Sequence, residues 1–346
     1  KTLEDFVQRM VVQIHKSGAR GYYYEKHEIE SKSKIAANGT IHFDVGGDYA
    51  NVASEVIGGN VIIQAAGEVV VLSQKLYEEI HRWTKNHVNR MTITDYETAK
   101  ITSTGSDNSA GKPSIVVYAG KGLYMEAPTI KALEGGLSIT AEEKIEIYDV
   151  NKEVYKYESH TKRRGGLAGA TGGTKTTIKQ EMLSTPIQSL IDVKEVIEIN
   201  ARNGVVIKGF QFFSEATRIN VNNPDYEGFV SLFNSYKIHT ITITTIKTGF
   251  DIVFKNGIKI VKRSEKTDIS SSEEVIPSLM MVKDKFYGYC QGGWIELSVE
   301  RKGGHVFIDA KDVHLIAAPN RYYEFAIYKE TSTEVSYDED GNELPF

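Results

Sequence analysis

A single cysteine, Cys290, stands in a chain of 346 residues. It excludes an internal disulfide framework and any cysteine-rich metal site. Prolines number only seven, so long stretches keep the backbone N–H groups that central strands need. No apolar run approaches the ~18 residues of a membrane-spanning helix. An excess of basic charge is lacking too: 41 Lys and Arg stand against 46 Asp and Glu, a net charge of −5. That argues against a nucleic-acid partner, which selects a clearly basic surface. The chain opens at Lys1 without an initiator Met or a signal peptide, and it reads as a piece of something longer. At 40% hydrophobic and 25% charged residues the composition is that of a folded protein.

What the chain does have is a repeat, and repeats decide a fold before anything else does. Ile41, Phe43 and Val45 alternate, Gly46-Gly47-Asp48 follow, then come Tyr49, Asn51 and Ala53. Twenty residues on, Val61, Ile63, Ala65, the turn Ala66-Gly67-Glu68, then Val69, Val71 and Ser73 keep the same spacing. The pattern starts again at Ile115, Leu137, Ile197, Phe250 and Val306, and more loosely at Tyr287, with Tyr289 and Gln291 in its next slots. Period-two alternation marks a strand with one buried face. Units of constant polarity and internal order stack most economically as rungs of a parallel β-solenoid, so the expected fold is all-β, a right-handed parallel β-helix with projecting hairpin arms. An antiparallel sandwich also alternates but leaves the constant spacing unexplained.

The expected structural ladder is Ile41, Val61, Ile115, Leu137, Ile197, Phe250 and Val306. Ala65, Ala119, Ala141, Ala201 and Ala310 recur at a corner with little room. Turn glycines Gly46, Gly47, Gly67, Gly292 and Gly293 are expected to supply positive φ. Ten to twelve rungs at ~4.8 Å each would make a rod on the order of 50 Å long.

The long gaps between repeats carry insertions, at about 77–110, 150–190 and 222–248, within a β-helix spanning 31–328. These mix aromatic and charged residues: Trp83 with His81 and His87 in one, and Tyr155, Tyr157, Lys162, Arg163 and Arg164 before a glycine-rich tip in another. Residues 1–30 hold Leu3, Phe6, Val7, Met10, Val11 and Ile14 at helical spacing and read as an N-terminal cap, a short helix or a degenerate rung. Tyr22, Tyr23 and Tyr24 follow. Residues 329–346 turn polar and acidic and read as a linker.

The units from Asn38 to Val56, from Gly59 to Leu76 and from Ile295 to Ala317 resemble hemagglutinin repeats of filamentous hemagglutinins. Tyr155 to Leu167, with Tyr157-Glu158-Ser159-His160-Thr161-Lys162-Arg163-Arg164-Gly165-Gly166-Leu167, is similar to an excursion in the second repeat region of two-partner-secreted exoproteins, contact-dependent growth-inhibition effectors among them. The resemblance implies a secreted or cell-surface rod that is not an enzyme and serves adhesion or carries a C-terminal toxin across a target cell's outer membrane. It implies no cofactor. Its partners would be the remainder of a longer exoprotein chain and a target outer membrane or surface receptor, and open rod ends would allow end-to-end self-association. Tyr22, Tyr23, Tyr24, Trp83, Tyr155, Tyr157, Lys162, Arg163 and Arg164 are the expected membrane or partner contacts, since amphipathic rings suit an interface.

Other signals read weakly. Gly169 to Thr176 lacks the Gly before Lys175 that a phosphate-binding loop needs. His81, Asn86, His87 and Asn89 find no carboxylate at metal-ligand spacing, so no metal site is expected. His42 and His314 should face outward. Carbohydrate-active β-helices cluster carboxylates on one outer face, and Asp44, Asp48, Asp309 and Asp312 fall on well-separated rungs. That enzyme and a self-assembling filament segment stand as the alternative readings.

Overall fold

A computed structural model describes residues 9–18, 21–30, 33–105, 112–164, 173–223, 227–253 and 258–335. Every regular element among them is a strand, and the strands form a twenty-stranded sheet, parallel throughout, and a nine-stranded antiparallel sheet. Each parallel strand pairs with its counterpart one repeat further on, which divides the sheet into three ladders. The first runs through Ile35, Val56, Ile101, Ile130, Ile191, Phe212, Met280 and Arg301. The second runs through Ile41, Val61, Ile115, Leu137, Ile197, Thr217, Phe286 and Val306. The third runs through Tyr49, Val69, Leu123, Ile145, Val205, Val230, Ile295 and Val313. This all-β arrangement is compatible with the β-helix that the repeat predicts.

The inward rows of all three ladders meet in one hydrophobic core, where Val61, Ile115, Ile139, Ile197 and Phe212 are fully buried. The alanines keep their row: Val45, Ala65, Ala119, Ala141, Ala201, Val221, Cys290 and Ala310 lie in register. Burial raises the pKa of the Cys290 thiol in that row.

Several expectations are corrected. Each ladder has eight segments among the described residues, not ten to twelve, which spans ~34 Å at ~4.8 Å per step. Phe250 belongs to no parallel ladder: its backbone pairs antiparallel with Val261. The repeat that takes its place begins at Thr217, where the spacing is hidden because Val230 follows Val221 by nine residues instead of four. At the next repeat the register is one residue earlier than the alternation suggests. Phe286, Gly288 and Cys290 are buried, while Tyr287 and Tyr289 are on the outer surface. A one-residue slip exchanges the faces of a whole strand.

The glycine reading is also corrected. Of the five turn glycines only Gly292 has a positive φ, +67°. Gly293 is needed for space instead, against backbone, while Gly67 faces the end of the Asp48 side chain. A Cβ on Gly67 would lie 2.0 Å from Asp48 Oδ1, and one on Gly293 would lie 1.8 Å from the Gly228 carbonyl oxygen. Positive φ falls elsewhere: Gly105, Gly135, Gly303 and Gly304 carry it between the first and second ladders, and it recurs at the junction between the third ladder of one repeat and the first ladder of the next. Ala53 (+48°), Ala127 (+42°) and Gly209 (+65°) occupy that junction between the first and second, third and fourth, and fifth and sixth repeats.

At the intervening junctions the chain leaves the ladders as a long hairpin. Gln74–Thr84 with His87–Glu97, Val150–Arg164 with Gly173–Ile187, and Ser235–Val253 with Ile258–Ile276 are three such hairpins. Arg9–Gly18 with Gly21–Glu30 is a fourth, before the first repeat. Residues 9–30 are thus neither helix nor rung. The strand Arg321–Val335 follows the eighth repeat, so residues 329–335 are strand rather than linker; 336–346 lie outside the described residues. The last insertion extends to Ile276, well beyond 248.

The four hairpins and the last strand pair side by side into the antiparallel sheet. The physical reason is commensurate spacing. Successive hairpins are two repeats apart, about 9.6 Å at ~4.8 Å per repeat, and a two-stranded hairpin is the same width. Arms expected to project singly therefore make one continuous sheet. The glycine-rich tip 165–172 and the turn 254–257 lie outside the described residues.

Candidate contact surface on the antiparallel sheet

The sequence places its aromatic insertions on separate arms, and lateral pairing brings them together. Tyr155 lies in register with Thr92, Glu79 and Met182. Tyr157 lies in register with Arg90, His81 and Gln180. Trp83 pairs with Val88, and Val88 with Ser159. Residues two apart along a strand share a face, so Trp83, Tyr155 and Tyr157 lie on the same side of the sheet. The same registers carried to the last strand add Tyr323 and Phe325 to that side, and both are half exposed. Sequence reasoning missed these two because it placed them inside the β-helix span 31–328 and weighed only the insertions as contacts.

Polar contacts fix this face. Glu79 Oε1 accepts from Arg90 Nη2 at 2.9 Å and contacts His81 Nε2 at 2.6 Å. His81 and Trp83 meet edge to face, with ring centroids 6.1 Å apart. Gln180 Nε2 donates to the Tyr155 hydroxyl at 3.1 Å. Thr240 with Ser271 and Thr244 with Thr267 exchange hydroxyl hydrogen bonds of 2.8 and 3.0 Å. The surface is amphipathic, with rings set among hydroxyls and paired charges.

The backbone of Tyr22, Tyr23 and Tyr24 pairs with Trp83, Arg82 and His81. Lys162 is one register step out of phase with Tyr155 and Tyr157 and lies on the opposite side of the sheet, while Arg163 shares the side of the tyrosines. Arg164 pairs through its backbone with Gly173. The expected contact set is thus divided between two faces. On the Lys162 side, Glu181 is held below the usual carboxylate range by hydrogen bonds from Lys179 and His239. Near the ladders, Tyr96 is raised by burial and by the charges of Glu153 and Glu126.

The outer faces of the ladders carry a second set of features. Tyr287 and Phe307 stack at 5.0 Å with Arg218 over the Tyr287 ring, and Trp294 stacks on Phe229 at 5.5 Å and on His314 at 6.2 Å. His42 and His314 are both exposed. An open cavity of about 490 Å³ has Glu142, Glu143 and Glu227 on its rim with Arg202 and Phe229. Repeats four and six supply these carboxylates, a grouping the sequence did not reveal because 84 residues separate Glu143 from Glu227. The Lys311 ammonium, 2.6 Å away, holds Glu227 below the usual carboxylate range. That is opposite to the shift a general acid needs.

Comparison with known proteins adds no relative: no family model, no curated protein and no solved structure matches the chain.

Proposed function

We propose that this chain is a non-catalytic rod segment of a secreted, two-partner-type bacterial exoprotein, with its parallel sheet wound as a right-handed β-helix. It acts in adhesion at the cell surface or in delivering a C-terminal toxin across a target cell's outer membrane. The resemblance to hemagglutinin repeats supplies the class. The observation that carries the reading is the merging of hairpins from every second repeat into a single exposed sheet that gathers Trp83, Tyr155, Tyr157, Tyr323 and Phe325. Rings with one polar end are favoured where apolar and aqueous phases meet, and a rigid row of repeats holds them at fixed separation.

Co-sedimentation with outer-membrane vesicles and with phosphatidylcholine liposomes tests this reading. The full chain is expected to sediment with both. The triple variant W83S/Y155S/Y157S is expected to bind roughly tenfold or more weakly, because each ring withdraws a large amphipathic area from the interface. A wild-type chain that stays in solution, or a triple variant that binds equally well, would overturn it. A carbohydrate-cleaving reading draws on the Glu142, Glu143 and Glu227 rim, and the downward shift of Glu227 counts against it.

A further inference from the structure

On the face of the antiparallel sheet opposite Tyr155 and Tyr157, three lysines lie directly side by side. Lys162 is in register with Lys175, and Lys175 with Lys247. They belong to three adjacent strands, Val150–Arg164, Gly173–Ile187 and Ser235–Val253. Directly opposed residues in an antiparallel pair have Cβ atoms about 4.5–5.5 Å apart, and like charges in that position destabilise the sheet.

Four other lysines of this sheet are paired with carboxylates, whereas Lys75, Lys156 and Lys329 make no ion pair with a described residue and stand opposite no other lysine. Lys152 pairs with Asp95, Lys179 with Glu181, Lys237 with Glu274 and Lys266 with Asp268. No ion pair joins Lys162, Lys175 or Lys247 to another described residue. Lys162 and Lys247 are exposed and Lys175 is half-buried. Two residues nearer the ladders on the same face, His160, Thr177 and Thr245 form the next row in register. Their donors lie about 7 Å from the lysine row, at ~3.3 Å per residue.

A sheet that breaks a pairing rule without compensation does so characteristically at a functional site. We propose that Lys162, Lys175 and Lys247 form an anion site for the phosphate groups of a lipid surface. Three ammonium groups a strand apart match a layer of phosphates better than one isolated ion, and the Thr177 and Thr245 hydroxyls and the His160 ring supply donors beside them. The inference rests on the envelope-contact reading and assigns the charge chemistry of that contact to the second face of the sheet.

The test uses the full chain with two kinds of vesicle, phosphatidylcholine alone and an equal mixture of phosphatidylcholine and phosphatidylglycerol. Wild type should prefer the mixed vesicles, and added salt should weaken that preference. K162Q/K175Q/K247Q should lose the preference, about tenfold or more, because each lysine near an anionic surface contributes of the order of a fivefold factor. It should keep its binding to phosphatidylcholine and melt no lower than wild type, since its loss relieves repulsion. K162R/K175R/K247R should restore the preference. A glutamine variant that keeps the preference, or an arginine variant that fails to restore it, would overturn the proposal. Inorganic pyrophosphate that displaces wild type from mixed vesicles as effectively as high salt, and binds the free chain, would assign the site to a soluble phosphate and overturn the lipid source. If phosphatidylcholine binding is absent while the lysine effect is present, the aromatic-contact reading fails and the lysine site stands.

Discussion

Gly209 shows what a single residue must solve in this chain. It links the strands Gly204–Lys208 and Phe210–Val221 at the junction where no hairpin leaves. Its φ is +65°, its N–H donates to the Phe233 carbonyl at 3.1 Å, and its carbonyl accepts from the Ser189 N–H at 2.8 Å. A Cβ there would lie 2.2 Å from Ser235 Oγ and 2.6 Å from Asp149 Cβ, side chains at the exits of the two flanking hairpins. Gly209→Ala therefore combines left-handed backbone strain with overpacking, and a loss of about 2–5 kcal/mol is expected. Urea denaturation of the two chains measures it, and a variant within about 0.5 kcal/mol of wild type would contradict this account. Ala53 and Ala127 hold the same junction in two other repeats with a methyl group in place, at φ of +48° and +42°.

The hairpin is the element in which the two sheets are coupled. Its two strands advance the antiparallel sheet by the distance two repeats advance the ladders, so hairpin and repeat pair form one building block. Removing a whole block, residues 150–233, would bring the fourth repeat onto the seventh and the strand His87–Glu97 onto Ser235–Val253 with antiparallel polarity kept. That variant is expected to melt cooperatively and to protect the amides of His87–Glu97 from hydrogen exchange. Removing the hairpin alone, residues 150–187, leaves a gap of about 9.6 Å in the antiparallel sheet, and protection of those amides should fall by tenfold or more. Equal protection in both variants would show that the sheet does not depend on commensurate spacing.

For the whole molecule, strand parity has a consequence. Eight antiparallel pairings join nine strands, so the edge strands Arg9–Gly18 and Arg321–Val335 run in the same direction. A second copy stacked head to tail would set these edges parallel, out of pattern with the rest of the sheet. The last residue of the first ladder's inward row is Arg301, whose Nη2 donates to the His305 carbonyl at 3.0 Å and whose pKa is lowered by burial. A charged group at that row's end disfavours stacking another apolar layer on it. Although the other two rows end on exposed Val306 and Val313, Arg301 is expected to hold association back, so Arg301→Met should associate more than wild type as concentration rises, with light scattering after size exclusion as the measurement. Filaments of wild type would contradict this and favour the self-assembly reading.

The sequence by itself determined the inward rows. Ile41, Val61, Ile115, Leu137 and Ile197 are in register as spaced, because a buried face of period two writes its register into the order of apolar residues. It failed where the face is not written so clearly. Phe250 and Ile252 alternate like a rung yet pair within a hairpin, and Tyr287 and Tyr289 compete as apolar residues with Phe286 and Cys290 for the inward side. In the hairpins both faces remain partly exposed, so Thr, Ser, Lys and Tyr alternate without a buried side to mark. Only the tertiary structure decided that the arms join, that Trp83, Tyr155 and Tyr157 share one face, and that Lys162, Lys175 and Lys247 form a row on the other. Those neighbours lie on strands far apart in the chain, and it is the equal spacing of repeat and hairpin that brings them side by side.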